Sequence, residues 1–122
     1  MTILEKLRAA EKRRVITFEA PLIGTVKLRS LTHREIGAIR AKFAKADGEP
    51  NQEGVARMRL YLIAQTLCDD DGQPCCSLAD VDAGLLDELD GGVVDALFAA
   101  CREHTGFGAE AGWKAVVDAA KN

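Results

Sequence analysis

A stretch of alternating apolar and polar residues near the N-terminus limits the folds open to this chain. Ile16 and Phe18 alternate with polar residues in VITFEA, and Val26 and Leu28 do so in TVKLRSL. This period of two is typical of half-buried strands, and PLIG between them supplies a proline and a glycine for a turn. The sequence therefore predicts a β-hairpin at 15–31. Because an isolated hairpin is marginal in water, its apolar face must rest on a helix.

The remaining segments carry the spacing of three to four residues that is typical of amphipathic helices. The strongest start is LTHRE, where Thr32 and Glu35 form a capping box and Leu31 and Ile36 fit the hydrophobic staple around it. The segment 54–68 is apolar on more than one face, which indicates a helix at the centre of a core. The predicted helices span about 2–13, 32–46, 54–68, 78–89, 93–105 and 109–120.

These patterns predict a mainly α fold, a small helical domain of five to six helices with one N-terminal β-hairpin. Hydrophobic residues make up 48% of the chain and charged residues 29%, which suits a globular protein. A chain of 122 residues suits one domain. Its expected parts are a single domain at 1–122, with an N-terminal helix at 1–14, the hairpin at 15–31, a helical core at 32–105 and a mobile C-terminal helix at 106–122.

Composition and charge exclude several kinds of partner. The net charge is −3 and no long basic face is evident, whereas nucleic-acid binding needs lysines and arginines that displace counterions. No apolar run reaches the ~18 residues that a membrane-spanning helix needs. The N-terminal segment interleaves apolar residues with charges, unlike a secretory signal. We therefore expect a cytoplasmic protein with reduced cysteines that binds neither nucleic acid nor membrane.

The acidic stretch DDDGQPCCSLADVD, at 69–82, is the strongest candidate for a metal site. A calcium loop that began at Asp69 would need glycine at its sixth position and glutamate at its twelfth. These positions hold Pro74 and Asp80. The stretch is better explained as a tight turn in which Gly72 adopts a positive φ, so we predict no metal ligands.

The adjacent Cys75 and Cys76 favour a structural role over a redox role. Zinc and redox pairs need intervening residues so that both sulfurs can converge. Ser77 can instead cap the next helix together with Asp80, and Cys76 and Val81 then fit the staple around that cap. A metal- or thiol-dependent regulator stays open as an alternative.

No group of residues predicts catalysis. His33 falls in the first turn of a helix and His104 in the last turn of another, where we expect surface histidines. Cys68 and Cys101 fall on apolar helix faces, where a free cysteine behaves as a buried hydrophobe. No nucleotide motif is present, so we predict no catalytic residues, no cofactor and no enzymatic activity.

The last predicted helix carries a narrow apolar stripe behind the glycines of GFG. Its members are Trp113, Val116 and Val117. If this helix packs back onto the domain, they are ordinary core residues. If it does not, they and Phe107 are candidate partner-binding residues, because an aromatic anchor on an amphipathic helix suits a groove or another subunit.

The order of these motifs resembles the tail assembly chaperones of long-tailed bacteriophages and related prophages. In that family a segment R-x-L-T-x-x-E opens a helix, and a D-x-D-G-x-P turn follows an apolar helix. An acidic D-V-x-x-L helix and a final apolar helix that ends near N-G come after. The matching residues, within a resemblance that covers about 15–108, are Arg29, Leu31, Thr32 and Glu35, then Asp69, Asp71, Gly72 and Pro74, then Asp80 and Val81. His104, Thr105 and Gly106 stand where the family often has Asn-Gly, a departure that still allows a helix to stop.

The resemblance implies function by binding alone. Such chaperones coat the aggregation-prone tape-measure protein, keep it soluble during tail assembly and are absent from the finished virion. A longer form, made by ribosomal frameshifting, helps to recruit the tail-tube protein. The resemblance thus implies a protein of the host cell cytoplasm with these two partners, and several copies on one elongated client imply a homo-oligomer. Two alternatives stay open: a structural virion component, such as a tail-completion or connector protein, and a small cytoplasmic adaptor.

Overall fold

The computed structural model describes residues 1–10, 13–45 and 47–107. Within these ranges the chain forms six helices and three strands. In chain order they are α1 (Ile3–Ala9), β1 (Val15–Ala20), β2 (Gly24–Arg29), α2 (His33–Arg40), α3 (Gln52–Ala56), α4 (Met58–Thr66), β3 (Leu67–Cys68), α5 (Leu78–Asp82) and α6 (Gly91–Thr105). The helix predicted at 109–120 lies outside the described residues.

The predicted hairpin is present, and it belongs to a larger sheet than expected. β1 and β2 pair antiparallel, in a register that places Ile16 opposite Leu28 and Phe18 opposite Val26. β3 then pairs antiparallel with β2, so the strand order is β1-β2-β3. The central strand of the sheet is therefore the second half of the hairpin.

The prediction of a mainly α fold with an N-terminal hairpin is confirmed in part. The described residues form six helices and the hairpin, but the third strand, at the end of α4, makes the fold mixed α and β. The apolar pattern assigns Leu67 and Cys68 to a helix, but Leu67 is extended, with φ −63° and ψ 132°. The backbone groups of Leu67 and Cys68 pair with β2, and this pairing replaces the hydrogen bonds of a further helical turn. The carbonyl of Leu67 also accepts from the N–H of Cys75 at 2.8 Å. A strand of two residues shows no alternation, so hydrophobic spacing could not reveal it.

The helix α4 forms the centre of the core, as its apolar pattern predicts. Four consecutive residues of α4 are buried, so neighbours cover it on several sides: Tyr61, Leu62, Ile63 and Ala64. α6 packs against α4, β1 and β2 with a narrower stripe of one residue per turn: Val93, Leu97 and Cys101. No helix among the described residues is long and apolar enough to cross a bilayer.

The helix predicted at 78–89 is much shorter than its apolar pattern suggests. α5 stops after five residues because Gly84 adopts a φ of +90°, in the left-handed region that favours glycine. The chain continues as successive turns. Val81 is therefore buried, whereas Leu85 and Leu89, predicted on the same face, are 63% and 41% exposed. Leu86 packs against the core in their place.

A short helix, α3, precedes α4 where the sequence predicts one continuous helix. Gly54 of α3 lies very close to the backbone of Lys42, two residues beyond the end of α2. A Cβ atom at Gly54 would lie 1.5 Å from the carbonyl oxygen of Lys42, so only glycine fits this approach. The side-chain amide of Asn51 donates to the same carbonyl at 3.2 Å. These contacts fix how the chain passes from α2 into the central helices.

Arg29, the last residue of β2, is the buried centre of a polar network. Its guanidinium donates to the carbonyl of Gln65 at 2.6 Å and to Glu35 Oε2 at 2.8 Å, with a longer contact of 3.5 Å to the carbonyl of Gly72. Glu35 also accepts from Arg13 through both oxygens, at 2.7 and 2.9 Å. The network joins the sheet to the start of α2, the end of α4 and the acidic turn.

The surroundings of Glu35 favour its ionised form. Its Oε1 atom accepts from the backbone N–H of Thr32 at 2.8 Å, and the Thr32 hydroxyl accepts from the N–H of Glu35, which completes the predicted capping box. Burial opposes ionisation, but the hydrogen bonds from Arg13 and Thr32 and the charge of Arg29 outweigh it. The pKa of Glu35 is thereby lowered to about 2.

We predict that Arg29→Met lowers the free energy of unfolding by about 3–5 kcal/mol, the typical cost of removing one partner of a buried ion pair. Denaturation by urea, followed by circular dichroism, measures this loss. The matched control is Lys27→Met on the same strand, whose partner Asp70 is exposed. This control should change little, and an equal loss in both variants would contradict a special role for Arg29.

We also predict that the wild type loses stability as the pH falls from about 5 to about 2. The pKa of Glu35 is about 2 in the folded state, below its ordinary value of 4.5, so its contribution is complete above 4.5 and disappears as the folded protein takes up the proton. The contribution amounts to about 3 kcal/mol at most. Urea denaturation between pH 7 and pH 2.5 should show wild type and Glu35→Gln converging as the pH falls. A constant difference would contradict the prediction.

Candidate functional site

The acidic stretch at 69–82 folds first as a tight turn. The Asp69 side chain accepts from the backbone N–H groups of Asp71 and Gln73, both at 2.9 Å. Gly72 has a φ of +80°, as the turn prediction requires. The Asp69 carboxylate is therefore engaged in shaping the backbone.

The helix α5 then begins at the predicted cap Ser77, which forms a capping box with Asp80. The Ser77 hydroxyl accepts from the N–H of Asp80 at 3.1 Å, and the Asp80 carboxylate accepts from the N–H of Ser77 at 3.0 Å. Of the predicted staple pair, Val81 is buried in the apolar core and Cys76 is partly buried and packs against it. In the part of the chain that the structure describes, no three His, Cys, Asp or Glu residues are grouped to hold a metal ion.

The four cysteines are free thiols that differ in exposure. Cys101 is buried, and burial raises its pKa to about 12. Cys68 and Cys76 are half-buried; burial raises the pKa of both, to about 11 for Cys76, where the adjacent Cys75 adds to the effect. Because the thiolate is the nucleophile, these three thiols are poorly suited to chemistry at neutral pH. Cys75 is exposed to solvent.

A groove of about 510 Å³ runs between β1 and α6 and is the best candidate for a functional site. Its apolar lining comes from the first two strands and from one face of the helix: Ile16, Phe18, Leu28, Ala96, Ala99 and Ala100. The alanines keep the helix side shallow, so another chain could approach α6 closely. The polar and charged lining residues are Arg14, Glu103 and His104.

A pair of reciprocal contacts ties the start of β1 to the end of α6 beside this groove. The guanidinium of Arg14 donates to the carbonyl of His104 at 3.3 Å, and the His104 ring Nε2 lies 3.1 Å from the carbonyl of Arg14. His104 is half-buried through this contact, while His33 is exposed as predicted. The contact holds the strand and the helix together at one end of the groove.

The strand β1 also offers backbone groups to a partner. It is an outer strand of the sheet, and no strand in the described ranges pairs with its other edge. The N–H of Ser30 donates to the carbonyl of Arg14 at 2.8 Å. Since antiparallel pairs alternate, the N–H and C=O groups of Val15, Thr17 and Glu19 point to the open edge. Such an edge can pair with an extended segment of another chain.

Further apolar side chains are exposed away from the groove. They lie on α1, at the hairpin turn and in the turns after α5. Scattered exposed apolar residues are ordinary, but grouped ones mark surfaces that other proteins cover. The large ones on these three segments are Ile3, Leu4, Leu7, Leu22, Ile23, Leu85 and Leu89.

Phe107, the one predicted partner-binding residue that the structure describes, does not line the groove. Phe107 is only 3% exposed and packs in the core, because the chain turns back at the left-handed cap Gly106. This structure therefore places Phe107 in the core and not on a partner surface. Trp113, Val116 and Val117 lie outside the described residues.

The groove was missed because its strand residues have an ordinary sequence signature. The alternation in VITFEA shows that Ile16 and Phe18 share a face, which the structure confirms, but alternation does not show how completely a helix covers that face. Ile16 remains 45% exposed. The small residues Ala96, Ala99 and Ala100, spaced along one side of α6, were the available signal, since a helix face without large side chains leaves a strand partly uncovered.

We predict that one thiol per chain reacts quickly with an aromatic disulfide reagent at pH 8 and that three react slowly. The fast thiol should be Cys75, because it alone of the four is exposed. Cys75→Ser should abolish the fast phase, whereas Cys101→Ala should preserve it. A fast phase that survives Cys75→Ser would instead support a thiol-based role for another cysteine.

The comparisons with known proteins concern the fold. Neither the family models nor the curated proteins compared match this chain. Among solved structures, it is similar to the tail assembly chaperone of bacteriophage HK97, with a TM-score of 0.56 and 21% sequence identity. The match covers 83% of this chain and 95% of that chain. The resemblance indicated by the sequence motifs is therefore supported in three dimensions: the chain has the fold of the bacteriophage HK97 tail assembly chaperone.

Proposed function

We propose that this protein is a phage tail assembly chaperone that binds a tape-measure protein and keeps it soluble during tail assembly. The observation that carries the proposal is the shared fold, which extends over 95% of the bacteriophage HK97 tail assembly chaperone. The order of the sequence motifs supports it independently, because those motifs were identified without the structure.

The groove between β1 and α6 is the surface that suits such a client best. An elongated, aggregation-prone protein exposes apolar side chains, and each Å² of apolar surface removed from water contributes roughly 25 cal/mol. Ile16 and Phe18 offer apolar contact, while Ala99 and Ala100 leave room for a client side chain. The open edge of β1 could bind an extended client segment through its backbone, which tolerates many client sequences.

The proposal requires binding and no covalent chemistry. The perturbed titratable groups serve to hold the fold together. The hydroxyl of Tyr61 donates to Asp82 at 2.5 Å, and burial together with this contact raises the pKa of Tyr61 to about 12. The Asp82 carboxylate also accepts from the ammonium of Lys42 at 2.5 Å. This contact joins the turn that follows α2 to the end of α5. These groups are engaged within the protein and lie apart from the groove lining.

The proposal has consequences for where the protein acts. A chaperone of this kind works in the cytoplasm of the infected host cell and is absent from the mature virion. A longer frameshifted form would bring the tail-tube protein to the client. Mass spectrometry of purified particles tests the absence of the protein from the virion, since a structural virion component would be present in the particles at a fixed copy number.

We predict that Ala99→Glu weakens the solubilising effect on the co-expressed tape-measure protein. A carboxylate in the apolar groove would lose water when a client binds, at a cost of several kcal/mol. The measurement is the fraction of tape-measure protein that stays in the supernatant after centrifugation. The matched control is Ala38→Glu, at an exposed position in α2 away from the groove.

The control should retain the wild-type effect, and both variants should unfold at the wild-type urea concentration. An equal loss in both variants would contradict the assignment of the groove. The absence of any solubilising effect from the wild-type protein would contradict the proposed function itself.

A further inference from the structure

The turn of the hairpin holds a leucine in an unfavourable backbone conformation. The turn comprises residues 21–23, because Ala20 pairs with Gly24 across the hairpin. Leu22 has a φ of +70°, and it is the single non-glycine residue with a positive φ in the described ranges. Proline followed by a positive φ is the pattern of a type II turn, which favours glycine or asparagine at the position that Leu22 holds. A leucine there crowds its own backbone and so destabilises the fold.

Packing within the chain does not explain why a leucine occupies this position. Its side chain is 86% exposed, and that of the next residue, Ile23, is 52% exposed. An exposed apolar side chain contributes little to folding, so Leu22 offsets none of the strain by burial. The strands below hold the turn in place, since the hydroxyl of Thr25 donates to the carboxylate of Glu19 across the hairpin. The hairpin therefore maintains a costly conformation that leaves an apolar side chain in solvent.

The composition of this tip favours an apolar protein segment as its partner. Strained residues persist where the surrounding structure enforces them, and they are concentrated at functional sites. Residues 20–26 hold no charged side chain, in a chain that is 29% charged. A tip that enters an anionic membrane surface would need free basic residues nearby. The next basic residue, Lys27, is paired with Asp70, and Glu19 at the base of the turn is acidic.

The tip is continuous with the groove between β1 and α6. Phe18 in the groove lining lies only four residues before Leu22, about 13 Å along an extended chain. The open edge of β1, with the backbone groups of Val15, Thr17 and Glu19, runs between the groove and the tip. An extended segment that pairs with this edge therefore reaches from the groove to the exposed side chains of the turn.

We propose that Leu22 and Ile23 are anchor residues for the client. In this arrangement an extended, apolar segment of the tape-measure protein pairs with the open edge of β1 and buries both side chains at the end of the strand. The inference rests on the proposed function and assigns a role to the strained turn. Because the turn fixes the position of Leu22 before the client binds, the contact requires less ordering of the chain.

The substitution Leu22→Gly tests the proposal, because stability and client binding should change in opposite directions. The urea midpoint of the full chain should rise, since relief of the strain outweighs the freedom that glycine adds to the unfolded state. Client binding should weaken. The measurement is the concentration of purified protein that keeps half of the tape-measure protein soluble in a cell-free translation. It should rise at least about tenfold, as expected for the loss of one buried leucine.

Two further variants separate the side chain from the backbone. Leu22→Met keeps an apolar side chain at the same positive φ, so it should retain the stability and the solubilising effect of the wild type. The matched control is Leu85→Gly, at an exposed leucine whose φ is not positive. It should gain no stability, because there is no strain to relieve, and it should solubilise the client like the wild type.

Each contrary result has a separate meaning. Leu22→Gly that solubilises the client at the wild-type concentration overturns the proposed contact, and a lower urea midpoint overturns the strain argument. An equal loss of solubilisation in Leu85→Gly also contradicts the proposal. If Leu22→Gly lowers the sedimentation coefficient of the protein alone, the tip contacts a second copy and the client assignment is wrong. A wild type without any solubilising effect contradicts the proposed function itself, and the inference fails with it.

Discussion

The ion pair between Arg29 and Glu35 holds the separate parts of this structure in register. A buried guanidinium needs both charge and hydrogen-bond partners, and Arg29 finds them at the start of α2, at the end of α4 and in the acidic turn. Glu35 has a second task, because it closes the capping box that starts α2. One carboxylate thus determines both where the helix begins and where the helix lies relative to the sheet.

This network gives a physical meaning to the motif R-x-L-T-x-x-E. Arg29 and Glu35 are its two ends, Thr32 supplies the cap between them, and Leu31 packs against the core. The second motif, D-x-D-G-x-P, belongs to the same assembly, since the carbonyl of Gly72 faces Arg29. Motifs that look like ordinary caps and turns therefore carry information about tertiary structure, which explains why their order indicated a fold shared at 21% identity.

The features that could be predicted are those determined by neighbouring residues. The caps of α2 and α5 and the hairpin follow from local spacing and hydrogen-bond chemistry, and the central position of α4 follows from its apolar surface. The features that could not be predicted depend on distant residues or on a single backbone angle. β3 exists only because β2 lies beside it, and α5 ends early only because Gly84 turns to a positive φ.

The candidate groove shows the same division between local and distant information. Its strand residues were recognised as one face of the hairpin, but the space above them depends on how α6 crosses the sheet. Phe107 illustrates the reverse case. Its place in the chain suggested an accessible aromatic residue, and the fold buries it.

The close approach of Gly54 to the backbone of Lys42 has a consequence for how such sequences can diverge. In the connection between α2 and α3, Ala44, Lys45 and residues 47–50 are exposed, so they can change in composition without disturbing packed side chains. Gly54, which comes soon after this connection, cannot accept even a methyl group unless its main chain separates from that of Lys42. A substitution is therefore tolerated at these exposed positions of the connection, whereas even a change of Gly54 to alanine is not. Relatives should be aligned on this glycine before their connecting segments are compared.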